Sequence, residues 1–286
     1  VPSVVLATCA DLPDGDDDGP ELLAACRGVG LTVEWRAWDD PRVDWAAADL
    51  VVIRSTWDYP ARRSEFLEWA HRVPRLANPA QLVDWNSDKR YLAGLAAVGV
   101  PTVPSRFFAP GEEITAPDDA EYVVKPAIGS GSMGAARFAG AADLPGARAH
   151  ARHLHDAGRT VLVQPYLADV DASGETGLVY FAGRYSHAIR KGPMLPSGTV
   201  NPVDGRSLFV EESITARTPS AAEQEVGDRV LAALDLPWLY ARVDLLPTGG
   251  GPVLIELEVT EPSLFLNTSP GSAGRLAEAI ATWAAA

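Results

Sequence analysis

Hydrophobic positions follow two periods along this chain, and the switches between them mark out its elements. Short unbroken apolar runs at residues 4–8, 31–35 and 50–53 predict buried parallel strands, and the stretch 21–29, stopped by Gly30, predicts a helix between the first two. Strand, helix, strand and strand again predict a small open α/β unit. Ligands of such units gather at the carboxyl ends of the strands, which here means Thr8, Cys9 and the segment 54–59. Residues 64–72 read as a helix with Ser64 as its N-cap, and 77–80 as a turn closing the unit. Asn86 or Ser87 is then placed to cap a helix through Lys89, Tyr91, Leu92 and Leu95 that stops at Gly99. Strands follow at 121–126 and at 161–167, the latter broken by Pro165, with a helix from about 141 to 158 between them. Runs 177–181 and 184–189 predict a hairpin turned at Ala182-Gly183, which delivers Arg190 and Lys191 into a flexible loop, 192–202. Ser220 and Glu223 spell a capping box for a helix to about Leu234 with Val226, Val230 and Leu234 inward, and a last helix, 274–285, turns Leu276 and Ile280 inward.

The most informative pattern is a second hairpin, 241–246 and 253–259, joined by a Pro/Gly-rich break. Period-two alternation puts Val243, Leu245, Val253, Ile255, Leu257 and Val259 on one face and Arg242, Asp244, Glu256 and Glu258 on the other. With the turn near Gly250, Asp244 lies opposite Glu256 and Arg242 opposite Glu258. The bland reading is a half-solvated sheet with its charges in water. The alternative is a magnesium site, because oxygen-only ligands suit a hard cation, and carboxylates about 7 Å apart can bracket two ions roughly 3.5–4 Å apart.

Composition narrows the field. At 286 residues, with 47% hydrophobic and 22% charged positions, the chain is long enough for two or three domain-like units around a substantial core. A net charge of −14 argues against a nucleic-acid or anionic-membrane surface, though a few focused Lys and Arg could still hold a nucleotide. Two cysteines, Cys9 and Cys26, give neither a disulfide framework nor a cysteine-rich zinc site, which fits a reducing cytoplasm. The basic lead of a signal peptide and any apolar run near 20 residues are both missing.

Three further clusters could carry chemistry. Arg54 could fork onto a carboxylate, Trp57 supply a wall and Asp58 hold an amine, or Trp57 and Tyr59 could simply pack while Arg54 and Asp58 pair with each other. Lys125, at the end of its strand, enters the loop Ile128-Gly129-Ser130-Gly131-Ser132-Met133-Gly134, whose N–H groups could cradle phosphate. Asp14, Asp16, Asp17 and Asp18 beside Gly15 and Gly19 read as a solvated loop, and His150, His153 and His155, lacking an i, i+4 pair, as solvent-facing.

The ordered set Lys89, Lys125-Pro126 with its glycine loop, Gln164-Pro165-Tyr166-Leu167, Glu175, Arg242-Val243-Asp244 and Glu256-Leu257-Glu258-Val259-Thr260-Glu261-Pro262 resembles the ATP-grasp superfamily of carboxylate–amine ligases, over about residues 78–270. The resemblance implies an α/β, α+β grasp fold in three parts. These are an N-terminal α/β substrate-side domain (1–80), then a linking helix and the start of the core (81–120). A lid with the glycine loop (121–165) and a C-terminal mixed-sheet domain for ATP and magnesium (166–286) complete it. It implies that Lys89, Lys125, Gly129, Ser130, Gly131 and Ser132 serve the phosphates, and that Gln164, Tyr166 and Leu167 serve the adenine. Glu175 would take the ribose, with Asp171 as a rival. Asp244, Glu256 and Glu258 would hold two Mg²⁺ ions. Arg242, with Arg190 and Lys191, would steady the reacting groups, and Thr8, Arg54, Ser55, Thr56, Trp57 and Asp58 would meet the substrate.

The last motif is also similar to the bacterial glutathione synthetase pattern Glu-x-Asn-Val-Thr-Ser-Pro, departing at Glu258, where asparagine is usual, and at Glu261, where serine is usual. The phrases 54–59, 186–192 and 261–265 are most similar to the group around the O-ureidoserine cyclo-ligases of cycloserine biosynthesis. The implied activity is ADP-forming: a small amino-acid-like carboxylate becomes an acyl phosphate and an amine attacks it, within one molecule if the closer resemblance holds. An intermolecular amino-acid ligase, a non-catalytic ATP sensor and a purely structural α/β protein remain open at this stage, as does homo-oligomerisation.

Overall fold

The computed structural model describes residues 1–115, 117, 120–193, 195–196, 198–201 and 213–286. Its N-terminal sheet is all parallel, in the order β2-β1-β3-β4, built from β1 (Ser3–Thr8), β2 (Thr32–Ala37), β3 (Leu50–Ser55) and the short β4 (Leu76–Ala77). Helices α1 (Gly19–Gly28) and α2 (Arg63–Arg72) cover its two faces. Ser64 lies inside α2 rather than capping it. The N-cap is Arg62, which makes no side-chain cap bond, and its guanidinium pairs with Asp39 and Glu65 instead.

After β4 the chain forms α3 (Ala80–Asn86) and α4 (Tyr91–Ala97), two short helices where the sequence pattern predicted one. Asn86 ends α3 and caps nothing. Its amide donates to Leu257 O at 2.7 Å and accepts from Val259 N at 2.9 Å. Tyr91 Oη gives and takes a bond with the backbone of Leu257, and Asn78 bonds Tyr240 O and Val259 O. Side chains thus satisfy a strand edge that would otherwise present bare N–H and C=O groups.

The middle sheet is antiparallel, order β5-β8-β6-β7, from β5 (Arg106–Phe108), β6 (Glu121–Pro126), β7 (Ala136–Ala139) and β8 (Val161–Pro165). Helix α5 (Leu144–Asp156) packs Ala147, Ala151 and Leu154 onto it. His150 Nε2 lies 2.9 Å from Gly134 O and His155 Nε2 3.2 Å from Phe108 O, so these two brace the sheet rather than face solvent; His153 is exposed.

A short α6 (Asp169–Ser173) leads to the five-stranded sheet β11-β10-β9-β12-β13, formed by β9 (Glu175–Phe181), β10 (Arg184–Lys191), β11 (Ile214–Arg217), β12 (Tyr240–Leu246) and β13 (Val253–Glu258). Helix α7 (Ala221–Ala232) begins at the expected capping box, Ser220 Oγ with Glu223 N, and buries Val226 and Val230. The final helix, α8 (Ser272–Ala285), crosses back to α1. Leu276 and Ile280 share one core with Val4, Leu6, Val179 and Phe181, so the first and last sheets are joined through a common apolar layer. The loop expected at 192–202 falls partly outside the described residues.

Candidate active site

The β12–β13 register is the one the alternation predicted, Arg242 opposite Glu258 and Asp244 opposite Glu256. A bulge after Asp244 then shifts the pairing, setting Leu245 against Leu254. This overturns part of the expected pattern: Leu254 goes into the core, while Val253 and Ile255 turn to the other face. One extra residue in one strand resets the alternation beyond it.

Ile255, Glu256 and Glu258 look into a cavity of about 690 Å³. Lys89, Lys125 and the glycine loop from Gly129 to Met133 also line it, as do Gln164, Tyr166, Leu167 and Glu175, and Asp16, Asp18, Trp57 and Glu261. Ser132 has φ +57 and Gly131 φ +55, a tight left-handed turn that Gly131 takes without steric cost.

Charges in the cavity are held by one another. Lys89 Nζ contacts Glu256 Oε1 at 2.9 Å and donates to Gly129 O at 2.7 Å, tying hairpin to loop. It precedes α4 instead of lying in a first helical turn, and its charge is answered directly by Glu256. Burial works against that charge, but Glu256 outweighs it and raises the lysine pKa. Among the described residues Lys125 has no such direct partner, so burial, with Lys89 nearby, brings it down to about 8. Asp244 is almost fully buried between Arg242 Nε at 2.9 Å and Lys191 Nζ at 3.0 Å. Burial opposes its ionisation, yet Arg242 and Lys191 prevail and bring it down to about 2. Lys191 also reaches Glu175 at 3.0 Å, and Arg242 bonds Glu258 and donates to Ser263 O at 2.7 Å.

Gln164 Nε2 donates to Ser105 Oγ at 2.8 Å, while among the described residues its buried Oε1 lacks a hydrogen-bond partner. Tyr166 donates to Asp171 Oδ1 at 2.5 Å, with the Arg137 guanidinium 3.4 Å above its ring. Asp171 is exposed outside the cavity wall, whereas Glu175 lines it.

Several expected site residues stand elsewhere. Arg190 donates to Ser173 O at 2.8 Å and is not on the cavity wall. It neighbours Lys191 on a strand, so only one of the two can face inward. Thr8, Arg54, Ser55 and Thr56 are completely buried, and Asp58 accepts from Trp38 Nε1 at 2.9 Å; of this group only Trp57 reaches the cavity. Arg54 and Asp58 do not pair. Arg54 donates to Pro262 O at 3.1 Å and lies 3.5 Å from Asp16, and Asp58 sits 3.6 Å from Arg62.

Of the acidic run read as a solvated loop, Asp14 and Asp17 are exposed as expected, whereas Asp16 and Asp18 turn inward and line the cavity. Gly15, at φ +84, sits so close to Trp35 that a Cβ would fall 2.4 Å from its ring. Asp18 accepts from Leu266 N at 2.7 Å, and burial, with Asp16 nearby, pushes it up to about 6. The available signal was position: the run follows the carboxyl end of a parallel strand. Glu261 was visible only as a departure from serine, and burial, with Glu258 nearby, pushes it up to about 8.

Comparison with known proteins places this arrangement. The family described as "D-cycloserine synthetase DcsG, N-terminal domain" matches residues 4–78. The cycloserine biosynthesis protein DcsG of Streptomyces lavendulae is 42% identical over 288 residues, covering 93% of each chain. The crystal structure of D-cycloserine synthetase DcsG superposes with a TM-score of 0.87 at 40% identity, over 99% of both chains. D-alanine–D-alanine ligase from Bacillus anthracis, solved in complex with ATP, shares the fold at 13% identity, with a TM-score of 0.69 over 100% of this chain and 98% of that one. The RimK domain protein ATP-grasp from Sphaerobacter thermophilus shares the fold at 15% identity, with a TM-score of 0.67 over 97% of this chain and 99% of that one. The chain belongs to the D-cycloserine synthetase DcsG family and has the fold of the ATP-grasp ligases.

Proposed function

We propose that this ligase closes a ring within one O-ureido amino acid, in the manner of a cycloserine-forming enzyme, with ATP converted to ADP. The observation that carries the reading is the meeting of three groups on one cavity: two lysines with the glycine loop, the acid–cation hairpin, and the acids Asp16, Asp18 and Glu261.

In this reading Lys89, Lys125 and the loop from Gly129 to Ser132 hold the phosphates, and Gln164, Tyr166 and Leu167 hold the base. Glu175 faces the ribose; its place on the cavity wall favours it over Asp171. Glu256 and Glu258 each keep a quarter of the side chain exposed, and their oxygens suit a hard cation. Asp244 has its oxygens taken by Arg242 and Lys191, so it fits a metal role only after one of those cations moves. Bound magnesium, one ion or two, supplies neutralisation of the triphosphate.

The substrate carboxylate attacks the γ-phosphorus, and the resulting acyl phosphate is attacked by a nitrogen of the same molecule, expelling phosphate. Arg242 is placed to stabilise the oxyanion, an interaction worth about 3–4 kcal/mol when such a donor is lost. The glycine loop excludes water that would hydrolyse the acyl phosphate. Such ATP-consuming chemistry fits the cytoplasm. Among the described residues no helix is long and apolar enough to cross a membrane.

The test is ADP release across a panel of O-ureido amino acids, with and without an added second amine. Ring closure gives a rate indifferent to the added amine and a product one ring larger in unsaturation than its acyclic precursor. A rate that rises with the second amine indicates intermolecular ligation, and ATP binding with no turnover indicates a sensor.

A further inference from the structure

Nearly every buried acid at the cavity has a cation: Glu256 has Lys89, Glu258 and Asp244 have Arg242, Glu175 has Lys191, and Asp16 has Arg54. Among the described residues two buried acids on the wall have no cation in ion-pair contact, Asp18 and Glu261. Asp18 accepts from the Leu266 N–H, and Arg54 acts on it only at longer range. Glu261 has one direct donor, the neutral, buried Tyr59 hydroxyl, while Lys89 acts on it at longer range. Its backbone is fixed from two sides: Trp57 Nε1 donates to Glu261 O at 3.0 Å, and the wholly buried Arg54 donates to the next carbonyl, Pro262 O, at 3.1 Å. Arg54 and Trp57, expected to touch the substrate, therefore act as clamps on the segment that carries Glu261.

We infer that Glu261 receives the ammonium group of the substrate, so that the ligase selects carboxylates that carry a free amine; the inference rests on the ligase reading above. A buried carboxyl in a cavity, held rigidly and without a cation in contact, gains more from an arriving cation than a neighbour already in an ion pair does. Burial, with Glu258 nearby, pushes it up to about 8, and an ammonium group in contact supplies the counter-charge that Lys89 gives only at longer range. A serine at the same position would offer a hydroxyl and no charge, so the glutamate changes which substrate atom this wall can attract.

The experiment uses the full chain with an O-ureido amino acid and its desamino analogue, in which hydrogen replaces the ammonium group. Binding by calorimetry and turnover by ADP release are measured for the wild type, Glu261→Gln and Glu261→Asp. The wild type should prefer the amino compound by about 30-fold or more, the range for losing one partner of a buried charge pair. Glu261→Gln should abolish that preference by weakening only the amino compound, with the KM for ATP unchanged, and Glu261→Asp should restore part of it. A wild type that binds both compounds equally, or a Gln variant that weakens both by the same factor, overturns the inference. Absence of ADP release from every carboxylate would count against the ligase reading instead, and the binding comparison still decides the role of Glu261. Should Glu261→Gln fail to fold, the wild-type preference and the Asp variant decide it alone.

Discussion

Two sets of acids line the cavity, and they differ in what holds them. On the β12–β13 hairpin each acid meets a cation: Lys89 at Glu256, Arg242 at Glu258, Arg242 and Lys191 at Asp244. Among the described residues Asp244 is as buried as any acid, and it is still brought down to about 2. In the second set, Asp18 in the loop after β1 and Glu261 just beyond β13 are comparably buried but are met directly by an N–H and a hydroxyl, and they rise to about 6 and about 8. Burial is common to both sets, and a single cation offsets it only in part: Glu258, beside Arg242, is still pushed up to about 7 by burial. Asp244 and Glu256 are each acted on by two cations, Arg242 with Lys191 and Lys89 with Lys125, and only these two acids of the hairpin are brought below their ordinary range.

The largest effect should come from breaking the first set where it meets the lysine loop. Glu256→Gln should reduce ADP formation to background while leaving a cooperative unfolding transition, because the side chain is partly exposed and the fold does not depend on it. Near-normal turnover in that variant would remove Glu256 from the phosphate and metal site. Next, Asp244→Asn leaves Arg242 and Lys191 close together without their shared counter-charge, at a cost of about 3–5 kcal/mol in urea unfolding. A loss below about 1 kcal/mol would mean the two cations find water or other partners readily.

Asp18 should respond to pH in the opposite sense to Asp244. Asp18 ordinarily loses its proton near 3.8 and here does so near 6. Below 3.8 it is neutral whether folded or unfolded, and its contribution is then fully present. As pH rises through 6 the folded protein must give up a proton the unfolded chain has already lost, so stability falls across that window. Asp18→Asn keeps an oxygen for Leu266 N–H and removes the penalty. Its melting temperature should match the wild type at pH 4 and exceed it at pH 7, by the equivalent of about 1–3 kcal/mol. A constant offset at both values would show that ionisation of Asp18 is not what separates the two sets.

The same contrast explains how much could be read from sequence. Period-two alternation gave the register of Arg242, Asp244, Glu256 and Glu258 because those residues lie on adjacent strands joined by one turn. It failed one step later, at Ile255, because a bulge leaves no mark on an apolar run. Ser64 and Asn86 have the chemistry of helix caps, but tertiary context put Ser64 inside a helix and turned Asn86 to the β13 edge. The acidic loop after β1 was opaque for a related reason. Asp16 looks like one charge among several in a glycine-flanked loop, and its burial depends on Arg54, 38 positions away, and on the close approach of Gly15 to Trp35. Arg190 and Lys191 were indistinguishable by type, and strand alternation separates them only once the face of β10 is known.

The smallest expected effect is the sharpest probe of the second set. Tyr59→Phe removes only the hydroxyl that donates to Glu261, since the ring stays packed on Phe66 at 4.9 Å. If Glu261 binds the ammonium group directly, the hydroxyl merely orients the carboxylate. The KM for the amino compound should then rise about two- to tenfold, the worth of one hydrogen bond, with the desamino analogue unaffected. Stability should change by about 1 kcal/mol or less, because the buried acceptor left behind is protonated near neutrality and has the cavity beside it. A Phe variant more damaged than Glu261→Gln would reverse the order of the two residues. The phenol would then be the substrate contact and the carboxyl its support.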